Sequence, residues 1–201
     1  NSDALLKLGD MYYEGNGVEK NYEIAKQKYE KSHELGCKKA LIKLGDLYAF
    51  GNGVEQDYKK AREFYEEALH AGVTESYNKL GEIYAFGNSV DVDEVRAREY
   101  FEEGAKKGEG SCIFHLGEFF FSGKGVEKDF SKAKALFELA ALKKNTYAFM
   151  FLGQMYFNGE GVERNIETGL RYIIEAAELG SKSSQKFLDD FFSRIENLEN
   201  E

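Results

Sequence analysis

The side chains that could do chemistry are few and scattered. Three histidines, His33, His70 and His115, and two cysteines, Cys37 and Cys112, are the only candidates for soft or near-neutral ligands. Cys112 and His115 stand three apart, which puts both on one helical face, yet a structural zinc site needs four ligands and no second pair is present. Carboxylates are plentiful, with 36 Asp and Glu against 27 Lys and Arg and a net charge of −9. Those that recur do so every 36 residues. In stacked helix pairs that interval is roughly 10 Å, too wide for most two-carboxylate catalysis. The Gly-x-Gly of GNGVEQ, residues 51 to 56, could in principle cradle a phosphate. A dinucleotide loop needs a third glycine and a preceding strand, and this stretch has neither. The expectation is a protein that is not an enzyme, with no catalytic residue, no metal and no cofactor.

The elements that carry these residues must then be architectural. With 42% apolar and 14% aromatic residues the chain can bury a core. Its acidity, with a pI near 5.1, argues against nucleic acid, whose binding draws on clustered Lys and Arg. No apolar run is long enough to insert in a membrane. Two cysteines are too few for a disulfide framework, which favours a cytoplasmic setting. There is no proline among 201 residues but there are 21 glycines, so glycine must supply the helix stops.

Those glycines are periodic. Leu-Gly recurs at Leu8-Gly9, Leu44-Gly45, Leu80-Gly81, Leu116-Gly117 and Leu152-Gly153, 36 residues apart each time. In the same phase run Tyr12, Tyr48, Tyr84, Phe120 and Tyr156, then Gly15, Gly51, Gly87, Gly123 and Gly159, then Val18, Val54, Val90, Val126 and Val162. Ser89 replaces the second loop glycine of the third copy. Next come Asn21, Asp57, Asp93, Asp129 and Asn165, all strong N-cap types. Ala25, Ala61, Ala97, Ala133 and Gly169 follow, each four residues before Tyr29, Tyr65, Phe101, Phe137 or Ile173, which is helical spacing. Gly36, Gly72, Gly108 and Gly180 close the unit, with Lys144 or Asn145 doing so in the fourth.

Each unit is therefore helix A, loop, helix B and turn, and the glycine inside helix A implies close approach of helix B. A column of small residues, Ala4, Ala40, Ser76, Cys112, Ala148 and Ser184, explains Cys112 as packing. The predicted organisation is one repeat domain over 1–201, with repeats near 1–36, 37–72, 73–108, 109–144 and 145–180. A capping helix over 181–199 carries an apolar stripe of Phe187, Leu188, Phe191, Phe192, Ile195 and Leu198 turned toward the last repeat. The first helix begins without a cap, so further repeats or a capping segment are expected before Asn1.

The pattern Ala-x3-Leu-Gly-x2-Tyr-x2-Gly-x-Gly-Val, then an N-cap and Lys-Ala-x3-Tyr, resembles the Sel-1-like repeat, a 36-residue relative of the tetratricopeptide repeat. The resemblance covers the whole chain. It implies an all-α fold, a right-handed α-solenoid of antiparallel helix pairs, and adaptor or scaffold roles in multiprotein assemblies. Some secreted bacterial members carry a cysteine pair in every repeat, a feature missing here.

In such solenoids the concave face is lined by helix A. By phase its columns are Leu6, Ile42, Asn78, Phe114 and Met150; then Asp10, Asp46, Glu82, Glu118, Gln154 and Asp190; then Tyr13, Phe50, Phe86, Phe121 and Phe157. One reading gives the acids to solvent and to Lys7, Lys43 and Lys79, three residues earlier on the same helix. The other makes them, with the bordering aromatics, a groove for a partner peptide or helix that carries basic and apolar residues. The expected function is a protein-interaction scaffold or adaptor. Its alternative is the substrate-recognition or regulatory domain of a larger enzyme, ligase complex or bacterial effector. Oligomeric state stays open.

Overall fold

A glycine inside a helix costs about 1 kcal/mol against alanine, and the structure shows what offsets it five times. A Cβ built on Gly9, Gly45 or Gly81 would fall inside 3.0 Å of the ring of Tyr29, Tyr65 or Phe101, and one on Gly117 or Gly153 would meet Phe137 or Ile173 as closely. These second-helix side chains are all buried. Burying each contributes about 1.5–3 kcal/mol, so the notch gains more than its glycine loses.

The computed structural model describes residues 1–88 and 90–199, with side chains through Ile195 in the last helix; Ser89 and the Leu198 side chain lie outside the described residues. Among the described residues there are eleven helices and no strand. The chain divides into two compact units, Asn1–Lys107 and Gly108–Glu201. The first holds three helix pairs: α1 (Ser2–Glu14) with α2 (Tyr22–Glu34), α3 (Ala40–Phe50) with α4 (Tyr58–His70), and α5 (Ser76–Phe86) with α6 (Glu94–Lys106). The second holds α7 (Gly110–Ser122) with α8 (Phe130–Leu142), α9 (Thr146–Asn158) with α10 (Ile166–Glu178), and α11 (Lys182–Glu199). Each pair runs antiparallel: in the first, Ser2 meets Ser32, Asp10 meets Tyr29, and Tyr13 meets Tyr22.

Local chemistry fixes both helix ends at the loop inside each pair. Gly15, Gly51, Gly87, Gly123 and Gly159 close the first helices in the left-handed conformation, each N–H donating to the carbonyl four residues back. The side chains of Asn21, Asp57, Asp93, Asp129 and Asn165 all accept from the backbone N–H three residues on, capping the second helices. The same five residues also donate their own N–H to the carbonyls of Tyr12, Tyr48, Tyr84, Phe120 and Tyr156. These loop donors are spent inside the loop, as a turn requires and a phosphate cradle does not. At the end of α8 it is Lys144 that takes positive φ, 60°, where the other repeats have glycine.

Rings then brace each pair. Tyr48 stacks on Phe64, Tyr84 on Tyr100 and Tyr156 on Tyr172, with centroids 5.6 to 5.8 Å apart. Lys60 and Arg96 lie over the rings of Tyr48 and Tyr84. Cys37 and Cys112 are buried thiols.

The small-residue column is buried in all copies except Ala4, which is exposed. The last helix also departs from expectation. Leu188 is buried and Phe187 and Phe191 pack on Phe157 of the last repeat, but Phe192 and Ile195 are 47% and 39% exposed. Phe192 has the phase of Tyr48, Tyr84 and Tyr156, whose rings rest on the second helix of their own pair. The helix α11 has no such second helix among the described residues, so that side of its stripe is uncovered.

Candidate functional site

The acid column of the first unit is tied into the fold. Tyr29 donates its hydroxyl to Asp10 at 2.9 Å and Tyr65 donates to Asp46 at 2.8 Å. The same oxygens are met by lysines of the next repeat, Lys43 to Asp10 at 3.1 Å and Lys79 to Asp46 at 2.9 Å. The lysines thus pair with the preceding repeat's acid, not with the acid three residues on in their own helix. Stacking places Lys43 and Lys79 beside the earlier carboxylate, which is already held by a tyrosine and needs one more cation.

This triad sits in partial shelter. The Lys79 and Asp46 side chains are 20% and 18% exposed, against 38% and 32% for Lys43 and Asp10. Burial pushes both tyrosine hydroxyls well above their ordinary value, and the adjacent carboxylates push the same way. Burial opposes the Lys79 charge, but Asp46 together with Glu82 and Glu75 outweighs it and holds the ammonium above its usual range. Signal for this was present in the sequence: tyrosine at 29 and 65 goes with aspartate at 10 and 46, and phenylalanine at 101 and 137 goes with glutamate at 82 and 118. The shorter acid is the one that a phenol reaches.

Glu82, at the same phase in α5, accepts from Asn78 at 3.0 Å. Tyr13 packs edge-on against Tyr22 and accepts from the Asn52 amide at 2.8 Å. Ile42 is buried. Phe50 and Phe86, the last residues of α3 and α5, are 61% and 60% exposed.

In the second unit Glu118 pairs with His115 of its own helix at 2.6 Å. Phe114 is buried at the centre of a cluster with Phe137, Tyr147 and Phe151, and Phe121 packs on Phe137 and Phe151. Met150, Gln154 and Phe157 instead line an open pocket of about 400 Å³ with Phe151, Asn158, Ile173, Ser183, Ser184 and Phe187. Asp190 is exposed on α11. Among the described residues no group of three or more His, Cys, Asp or Glu is arranged to hold a metal ion, and no helix is long and apolar enough to cross a membrane.

A family model for the Sel1 repeat matches residues 2–37, 38–73, 74–109, 110–145 and 147–181. The chain belongs to the Sel1 repeat family. A Sel1 repeat protein from Oxalobacter formigenes superposes with a TM-score of 0.79 at 28% identity, over 96% of this chain and 79% of that one. The protective antigen c5321 of uropathogenic Escherichia coli, which displays the same fold, gives 0.66 at 29% identity over 94% of this chain and 40% of its own length. The immunity protein Pa5087 of Pseudomonas aeruginosa shares the fold, with a TM-score of 0.73 at 22% identity over 91% of this chain and 67% of that one. A sequence comparison with curated proteins found no match. Sel1 repeat proteins are generally protein-interaction scaffolds, and the family and fold are typically non-catalytic.

Proposed function

We propose that this Sel1 repeat protein is a scaffold that holds a peptide or helix of a partner protein against its first helices, and that the partner segment mixes basic with apolar residues. The observation that carries this reading is the exposure of Phe50 and Phe86, at the same place in successive repeats. Two large rings in water one repeat apart offer paired contacts, each able to contribute about 1.5–3 kcal/mol when covered. The net charge of −9 favours a cationic partner and speeds its approach. Asp10 and Asp46 keep part of their surface in solvent but are already neutralised by lysine. Their share is therefore smaller than that of the exposed rings.

Selection of a displayed random-peptide library on the immobilised chain tests this. The expected outcome is enrichment of peptides with Lys or Arg beside apolar residues, bound less tightly in high salt and lost on Phe50→Ala with Phe86→Ala. Enriched peptides without basic residues, whose affinity survives that double change, would overturn it.

A further inference from the structure

The pocket of the second unit can be understood by laying its two repeats on one another. In the fourth repeat, α7, α8 and the start of α9 bring together five rings, Phe114, Phe121, Phe137, Tyr147 and Phe151, with Tyr147 at the exposed edge and neighbouring centroids 5.0 to 6.1 Å apart. Thirty-six residues on, the same five positions are Met150, Phe157, Ile173, Ser183 and Phe187. All five line the pocket of about 400 Å³. The backbone frame is kept while three rings are replaced by a thioether, a branched alkyl group and a hydroxymethyl.

A fourth reduction deepens the space. Gly169 stands where the other repeats have alanine, and a Cβ there would lie 2.7 Å from Cδ2 of Phe157. The Phe157 ring thus rests directly on the α10 backbone. The two retained rings, Phe157 and Phe187, meet edge to face at 5.4 Å and form the pocket's aromatic wall. An apolar cavity of about 150 Å³ is already enough to admit benzene, so this one has room for a ring and its stem.

The rim is polar and carries a charge. The amides of Gln154 and Asn158, both lining residues, donate to Oε2 of Glu160 at 3.4 and 3.3 Å. Across from them the Ser181 and Ser183 hydroxyls lie 3.5 Å from Sδ of Met150. A floor that lacks rings, beside a carboxylate at the edge, selects one kind of visitor.

We propose that this pocket receives a single aromatic side chain, tyrosine or phenylalanine, from a partner's peptide segment, with a lysine or arginine next to it meeting Glu160. The incoming ring takes the place that Phe137 and Tyr147 fill in the preceding repeat. This rests on the reading that the partner is a peptide or helix, and it names the residue that such a segment would place in the second unit.

The chain's three methionines allow a direct test. Met11, Met150 and Met155 give three methyl signals on ¹³C labelling, of which Met150 lines the pocket and Met155 is fully buried. Titration with N-acetyl-tyrosine amide should move the Met150 methyl upfield and saturably, by ring current, while Met11 stays still. The peptide acetyl-Lys-Tyr-Lys-amide should bind about fivefold tighter, as one partly exposed ion pair would give, and Glu160→Gln should remove that gain. Ile173→Phe with Ser183→Tyr restores the fourth repeat's rings and should abolish the response while raising Tm. Should that double variant fold poorly, Ser183→Tyr alone closes the mouth and keeps the reporter. No movement of Met150 up to the solubility of either probe, or equal movement in the filled chain, overturns the pocket. A selected peptide that binds the filled chain as well as the original overturns it too, yet leaves the scaffold reading standing. Loss of peptide binding on Phe50→Ala with Phe86→Ala, while Met150 still answers the probe, upholds the pocket separately.

Discussion

The first two repeats and the last two solve the same packing problem with different materials. In both, a second-helix side chain drops into the glycine notch of the first, a ring in three of these four repeats and Ile173 in the fifth. In the first two repeats that ring is tyrosine, its hydroxyl is bound by aspartate, and a lysine from the next repeat completes the triad. In the last two repeats the notch is filled by Phe137 and Ile173, which carry no hydroxyl, and the fourth repeat surrounds Phe137 with other rings. A polar triad locks geometry because removing one member strands the others. A ring cluster tolerates exchange of one ring for a smaller group, at the cost of a void. The fifth repeat, with its pocket, is what that tolerance makes possible.

Removing the central ring of the second unit should have the largest effect: Phe137→Ala is expected to lower stability by about 3–5 kcal/mol in urea denaturation, since the ring is fully buried. Next comes Asp46→Ala, expected to cost about 3 kcal/mol because it leaves the sheltered Lys79 ammonium and the Tyr65 hydroxyl without their acceptor. If Asp46→Ala costs no more than a surface change, the triad is not a lock. Asp10→Ala, whose lysine is about twice as exposed, should cost only about 1 kcal/mol; parity between the two aspartates would remove the distinction between the repeats.

The contrast has a pH signature as well. Tyr29 and Tyr65 hold their protons more tightly folded than unfolded, where the ordinary value is 10.0. Their stabilisation is therefore complete below that value and is lost as pH climbs above it. The raised Lys79 adds a loss in the same direction. A melting temperature that is level near neutrality and falls above about pH 10 is expected, with the fall made shallower by Tyr29→Phe and Tyr65→Phe together. The smallest effect belongs to Phe50→Ala with Phe86→Ala, within about 0.5 kcal/mol, as befits exposed side chains.

The loop-side helix ends, their caps and the notches were legible in the sequence because each depends on residues within one repeat, whereas the caps that Asn1 and Asn145 give to α1 and α9 were not read. Asn21 caps a helix that begins beside it, and Gly9 is matched by Tyr29 twenty residues on. What lay between repeats was harder. Lys43 and Lys79 sit three residues before an acid of their own helix, and only stacking shows that each turns to the acid 33 residues earlier. The apolar stripe of α11 was legible, but not that Phe192 on it stays about half exposed. The pocket escaped because it is made of what is missing. Subtracting the fifth repeat from the fourth, position by position, would have revealed it at Met150, Ile173 and Ser183.

Because both halves of every notch belong to the same 36 residues, each repeat is a cassette. Excision of residues 37–72 would join Gly36 to Val73 with turn, cap and notch all in phase. It would also bring Lys79 into the place of Lys43, facing Asp10, so that even the triad between repeats re-forms across the seam. Such a chain can change its length by whole repeats through recombination and still fold, which makes length a trait that evolution can adjust without redesigning any interface.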